Sequence, residues 1–228
     1  MELCILDKNI VACAKRNSGK SVLIKYLIEC NIDKFEKIYV VCPTEKINNH
    51  YSSITTEDCI MDDYNEEWTE LLIKKLSKIN ANKPKSEMKR ALLILDDVAC
   101  DANFHQSKSL KKVVGRGRHC GLTLISTAQS LTMLSPLQRQ NADYVFCSQM
   151  SAGGLAILEQ EYRTKMNKQD FLNLYERSTL DYNFLVISNN STKSADLNEI
   201  YGIIRTPDNY TSTKPALGES KKDSKIIS

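Results

Sequence analysis

The 228-residue chain lacks any long apolar run: its longest uninterrupted ones, such as Ile10–Ala14 and Ala91–Leu95, hold five residues, whereas a membrane-spanning helix needs about 20. No transmembrane segment is expected. The first ten residues, MELCILDKNI, lack the basic start and apolar stretch of a secretory signal and carry Glu2 and Asp7, so the chain should stay in the compartment where it is made. Paired cysteines are missing as well. Cys4, Cys13, Cys30, Cys42, Cys59, Cys100, Cys120 and Cys147 form no CxxC pair, and several lie inside apolar runs. Reduced, mostly buried thiols are therefore expected rather than a disulfide framework. Histidines are few, His50, His105 and His119, and stand far from any cysteine pair, so no zinc site is announced. A net charge of only +3 names no partner by itself.

What is present excludes global disorder, since 42% of residues are hydrophobic and 26% charged, and the length suits one compact core. Charges are segregated. Glu57 to Glu70 contains acidic residues and no basic one, Lys74 to Arg90 is basic but for Glu87, and Lys108 to Arg118 has no acidic residue. Each cluster reads as a solvated face or, for the basic ones, as a grip on nucleic acid. From Thr206 the composition turns polar (TSTKPALGESKKDSK), which divides the chain into a domain over 1–205 and a disordered tail over 206–228. The loop Asn80 to Glu87, with Pro84 inside it, is expected to be mobile. No solenoid repeat occurs.

Short apolar runs alternate with helix-period segments, the pattern of strands joined by crossover helices and hence an α/β fold. Strands are expected at Asn9–Ala14, Lys37–Cys42, Ala91–Asp96, Leu122–Thr127, Tyr144–Ser148 and Asn183–Ser188, and helices at Lys20–Cys30, Glu66–Ile79, His105–Val114, Ala152–Tyr162 and Gln169–Glu176. Continuous rather than alternating apolar strands indicate a mainly parallel sheet with helices on both faces.

The first strand runs into Ala14-Lys15-Arg16-Asn17-Ser18-Gly19-Lys20-Ser21 and then an apolar helix, which is the order of a P-loop, or Walker A motif. Backbone N–H groups of the loop and helix start would bind phosphates of ATP, Gly19 allowing close approach. Lys20 would reach the β and γ phosphates, and the Ser21 hydroxyl would hold Mg²⁺. Ala14 stands where the motif has glycine, which leaves the loop geometry there less defined. Further on, Leu92-Leu93-Ile94-Leu95-Asp96-Asp97 is an apolar strand ending in two carboxylates, the Walker B arrangement at the edge where open α/β sheets bind ligands. Asp96 would hold the Mg²⁺ through water, and Asp97 would take a proton from the attacking water. A helix cap after a core strand is the competing reading.

The segment Gly117-Arg118-His119-Cys120-Gly121-Leu122-Thr123-Leu124-Ile125-Ser126-Thr127-Ala128-Gln129 resembles the G-R-x-x-G-h-x-h-h-x-T-x-Q stretch of FtsK and HerA type DNA-translocating ATPases. Together with the Asp-Asp strand end, it makes the chain similar to the poxvirus-type genome-packaging ATPases of large DNA viruses and their relatives, over roughly Asn9 to Ser148. The resemblance implies a RecA-like (ASCE) P-loop NTPase in which the strand carrying a polar sensor lies between the phosphate-loop and Walker B strands. Gln129 would be that sensor, and Arg118 or Arg116 an arginine finger acting on a neighbouring subunit. Arg139 is a third candidate. It also implies a homo-oligomeric ring that drives viral double-stranded DNA into a preformed capsid at a portal vertex, in the host-cell cytoplasm at the assembly site or in association with the virion.

Asn167-Lys168-Gln169-Asp170 spells the guanine-reading motif of GTPases. Its setting argues against that, because the preceding Tyr162 to Met166 is polar and Asp97-Val98-Ala99-Cys100 lacks the glycine of a GTPase switch. A small-molecule kinase would share the phosphate loop but shows no arginine-rich lid. An inactive virion protein that keeps the fold and binds DNA through Lys74 to Arg90 is the alternative from another class.

Overall fold

A computed structural model of the chain describes residues 3–98, 104–189 and 196–207. All the expected strands form: β1 (Asn9–Cys13), β2 (Lys37–Val41), β4 (Ala91–Leu95), β5 (Leu122–Ala128), β6 (Tyr144–Cys147) and β7 (Asn183–Ser188), joined by two that sequence reading missed, β3 (Ile60–Met61) and β8 (Tyr201–Arg205). They make one eight-stranded sheet in the order β3-β2-β4-β5-β1-β6-β7-β8. Strands β1 to β6 pair in parallel, and β7 and β8 are antiparallel additions at one side. The sensor strand β5 does lie between β1 and β4, pairing with both.

Because side chains alternate across a strand, successive core residues serve opposite faces. Ile10, Ala12, Ile38, Val40, Leu92 and Ile94 pack with Leu23, Ile24, Leu27 and Ile28 of α1 (Lys20–Glu29) on one face. The opposite face is covered in two stretches. Tyr39, Val41, Leu93 and Leu95 meet α3 (Glu66–Ile79) and α4 (Lys108–Arg116), whereas Val11, Cys13, Val145 and Leu185 meet α6 (Ala152–Tyr162) and α7 (Lys168–Ser178). Short helices α2 (Glu45–Asn48), α5 (Pro136–Gln140) and α8 (Leu197–Ile200) complete the set, none of them foreseen.

Helix α3 shows why these segments fold as they do. Asn65 caps it by accepting from the Trp68 N–H at 2.9 Å, Glu66 and Glu67 occupy the first turn and Lys78 the last, the polarity that a helix dipole favours. Its buried positions Thr69, Leu72, Ile73 and Leu76 repeat at helical spacing. The acidic run that ends in α3 is spent locally: Glu66 accepts from the Lys108 and Ser109 N–H groups, and Glu70 pairs with Lys112. The expected helix from His105 instead begins at Lys108, because Ser107 caps it and Phe104–Gln106 form a 3₁₀ turn. The loop after α3 is pinned rather than loose: Asn80 Nδ2 donates to the Lys89 and Cys120 carbonyls at 2.8 Å, and Arg90 donates to the Lys85 carbonyl. Gly121 must be glycine, since its φ is 84° and a Cβ there would stand 2.7 Å from the Lys89 carbonyl oxygen.

Thr206, expected to start the polar tail, is buried and donates to the Tyr182 carbonyl at 3.0 Å. Residues 208–228 of that tail, and Cys100, lie outside the described residues. Cys13, Cys42, Cys59, Cys120 and Cys147 are buried free thiols, Cys30 is half-buried and Cys4 exposed. No described helix is long and apolar enough to cross a membrane.

Candidate nucleotide site

The C-terminal ends of β1, β5, β4 and β6 share one edge of the sheet, and the residues singled out in the sequence converge there. After Cys13 the next two residues stay bonded to the flanking segments, with Ala14 N–H on the Ala128 carbonyl and Lys15 N–H on the Gln149 carbonyl. Ala14 is fully buried and is not among the residues with positive φ, so the glycine of the usual motif has no conformational task here. Left-handed backbone is carried instead by Asn17 (φ 60°) and Gly19 (φ 84°), residue types suited to it. The Ser18 hydroxyl closes the loop on the Lys15 carbonyl at 2.5 Å. Gly19 caps α1 without any side-chain hydrogen bond, which leaves the first-turn N–H groups for a ligand; such a helix start favours an anion.

Lys20 is buried to 8% exposure and its Nζ lies 2.7 Å from Asp97 Oδ1. Asp97 has φ 53°, a left-handed conformation that aspartate accepts more readily than glutamate. Its N–H donates to Thr127 Oγ1 at 3.1 Å, and the Thr127 hydroxyl donates to Asp96 Oδ1. One threonine thus joins the Asp97 backbone to the Asp96 carboxylate. The Cys42 thiol lies 3.7 Å from Asp96 Oδ2; burial first, with Asp96 adding to it, pushes that thiol up to about 11, so it stays protonated and donates. Tyr51, fully buried, turns its hydroxyl toward Asp96 without completing a hydrogen bond, and burial followed by that carboxylate holds the phenol well above its ordinary value.

Asp96 is 6% exposed and, among the described residues, has no ion pair. A buried carboxylate held only by neutral donors is under-compensated. With the Ser21 hydroxyl in the first turn of α1 it offers hard oxygen donors of the kind Mg²⁺ takes, few enough to leave the remaining positions for phosphate and water. The residues present therefore fit that ion. No group of three or more His, Cys, Asp or Glu side chains suited to a metal occurs among the described residues.

Gln129 is half-buried just beyond β5, between the loop and the two aspartates in strand order. Thr127, Cys42 and Tyr51 were missed in the sequence. Thr127 was within reach, standing two residues before Gln129 and so on the same face of the strand; Cys42 and Tyr51 carry no local signal. The arginines lie elsewhere. Arg118 Nη1 is 3.6 Å from Asp143 Oδ1 at the opposite, N-terminal edge of the sheet, and Arg116 is exposed at the end of α4. The length of β5, roughly 20 Å at strand rise, separates that edge from Gln129. Arg139 is 8% exposed, bound to Glu161 through Nε and Nη2 and to the Leu131 and Leu134 carbonyls through Nη1, so it anchors its own subunit. Asn167 of the GTPase-like tetrapeptide caps α7, accepting from the Asp170 N–H at 2.9 Å; the motif is a helix start.

A model of the family described as poxvirus A32 protein matches residues 2–201. Uncharacterized protein 075L of Invertebrate iridescent virus 6 is 32% identical over 189 residues, 82% of this chain and 72% of that protein. Uncharacterized protein L437 of Acanthamoeba polyphaga mimivirus is 27% identical over 188 residues, 75% of this chain and 58% of that protein. Among solved structures, the genome packaging NTPase B204 from Sulfolobus turreted icosahedral virus 2, in complex with AMPPCP, superposes with a TM-score of 0.61 at 19% identity, covering 88% of this chain and 98% of that one. At that identity the likeness is one of fold.

Proposed function

The chain belongs to the poxvirus A32 protein family, and we propose that it is an ATP-hydrolysing motor that packages viral double-stranded DNA into a preformed capsid. The observation that carries this reading is the joining of Lys20, Asp97, Thr127 and Asp96 at one sheet edge, beside a phosphate loop whose helix has no side-chain cap. The fold shared with a protein named as a genome packaging NTPase supports the same direction.

In this reading the loop from Ala14 to Ser21 cradles the phosphates, and Ser21 and Asp96 hold Mg²⁺, which neutralises phosphate charge when bound. Lys20 is shared between Asp97 and the γ phosphate. A phosphate that takes the ammonium releases Asp97 to orient water and accept its proton as the oxygen attacks phosphorus and the bond to the β-phosphate oxygen breaks, leaving ADP and phosphate. Gln129 positions that water. Arg118 and Arg116, at the edge away from their own loop, act on the nucleotide of a neighbouring subunit in a homo-oligomeric ring. Exposed Lys83 and Lys85 offer cations to DNA phosphates. The motor domain spans 1–205, with 206–228 a polar tail; the capsid or its portal vertex is the partner, and the setting is the assembly site in host cytoplasm or the virion.

The test is phosphate release by the purified chain with Mg²⁺ and ATP, with and without double-stranded DNA of arbitrary sequence. Release that rises with DNA and disappears in Lys20→Ala is expected. Equal release by wild type and Lys20→Ala, or none under any condition, overturns the proposal and leaves a DNA-binding virion protein.

A further inference from the structure

On the β6 side of the phosphate loop lies a cavity of about 340 Å³, lined by Lys15, Arg16 and Ser18 of the loop together with Gln149, Asp181 and Tyr182. None of the wall beyond the loop was singled out in the sequence. Tyr182 is 59% exposed. Its backbone has φ 60° and that of Asp181 φ 50°. Two consecutive left-handed non-glycine residues, one of them bulky, are strained, and such strain persists only where surrounding structure imposes it. Here that structure is visible: Thr206 donates to the Tyr182 carbonyl at 3.0 Å, and the Thr206 and Tyr182 side chains both abut Gly19, at 3.2 and 3.6 Å from where a Cβ would stand. The residue after β8 thus ties the backbone of Tyr182 beside the loop, with Tyr182 among the residues that line the cavity.

We propose that Tyr182 is the base-stacking residue of the nucleotide site, its ring taking the nucleobase of a nucleoside triphosphate whose phosphates lie in the loop from Ala14 to Ser21. The inference rests on the nucleotide reading of that loop. An aromatic ring whose exposed face borders a polar cavity offers a stacking surface, and because every base has a π face, that surface adds affinity without selecting strongly among bases.

Binding of three ligands to the full chain in Mg²⁺ tests this by calorimetry: ATP, ribose 5′-triphosphate, which lacks the base, and inorganic tripolyphosphate. Wild type is expected to bind ATP roughly ten- to a hundredfold more tightly than ribose triphosphate, the range of one base stacked on an aromatic ring. Tyr182→Phe should behave as wild type. Tyr182→Asn keeps a residue that tolerates the left-handed backbone but removes the ring, and should lose that same factor for ATP while holding tripolyphosphate within about twofold. ATP binding no tighter than ribose triphosphate in wild type overturns the inference without any variant. So does unchanged ATP affinity in a folded Tyr182→Asn, or an equal loss for ATP and tripolyphosphate, which would make Tyr182 a support of the loop. Failure of wild type to bind any of the three overturns the nucleotide reading itself and this inference with it.

Discussion

The two edges of the sheet hold their buried carboxylates in opposite ways. At the N-terminal edge Asp143, 2% exposed, accepts the Asn9 N–H at 2.7 Å and faces Lys8 at 3.7 Å and Arg118 at 3.6 Å; nearby, Arg90 meets Asp7 and Lys89 meets Glu36. Each of these three acids has a cation beside it. At the C-terminal edge Asp96 is about as buried but has only a threonine hydroxyl and a thiol, and the cation present, Lys20, goes to Asp97. A buried carboxylate with cations beside it within the chain belongs to the fold, whereas one left short is set for a partner the chain does not supply. Left-handed backbone occurs at both edges, at Asn17, Asp97, Asp181 and Tyr182 beside the loop and at Asp7 opposite.

The largest effect that would break this comparison is on catalysis. Asp97→Asn keeps size and backbone but not the base, so ATP should bind with little change while turnover falls by a thousandfold or more; wild-type turnover in this variant would remove Asp97 from the chemistry. Next comes the one link across edges. Arg118→Ala should also lose on the order of a thousandfold, yet mixed with Lys20→Ala under subunit exchange it should regain activity, each copy lending what the other lacks. Silence at every ratio in demonstrably mixed oligomers would pass the same experiment to Arg116.

Smaller effects test the saturated edge. Asp143→Ala orphans the Asn9 N–H and two cations and should cost about 2 kcal/mol in denaturant melts, whereas Ala14→Gly, at a position with no special backbone demand, should change stability and turnover little. The smallest effect is a pH dependence. Burial, outweighing the opposing pull of Lys20, raises the Cys13 thiol from its ordinary value to about 12. A group raised on folding binds its proton more tightly in the native state, so its contribution is intact below about pH 9 and is lost as pH climbs toward 12. Between pH 8 and 10 wild type should lose about 1 kcal/mol more than Cys13→Ala; parallel pH profiles would contradict the burial argument.

Much of this architecture was legible because parallel strands buried on both faces write themselves as continuous apolar runs, and α3 and α6 carry caps and periodicity at their observed ends. Strand β3, two residues inside an acidic run, is too short to show a period. Strand β8 was hidden because its exposed Ile203 and Arg205 follow a sheet-edge pattern close to a polar segment. Of the site, the loop and the aspartate pair were legible as contiguous motifs. Tyr51, Cys42 and Tyr182 were not, since each reaches the site only through the folding of a distant segment, and the tetrapeptide from Asn167, set aside on its context, is a helix cap that spells a binding motif.

The unequal treatment of Asp96 and Asp143 is tested most directly by thermal melts of wild type, Asp96→Asn and Asp143→Ala, each alone and with saturating Mg²⁺ and a non-hydrolysable ATP analogue. Asp96→Asn should melt at or above the wild-type temperature when alone, because it removes an under-compensated buried charge, and should gain little from the nucleotide and metal. Asp143→Ala should melt lower yet gain as much as wild type from them. A destabilised Asp96→Asn that still gains the full ligand shift would contradict the account, for it would place Asp96 with the fold rather than with the nucleotide.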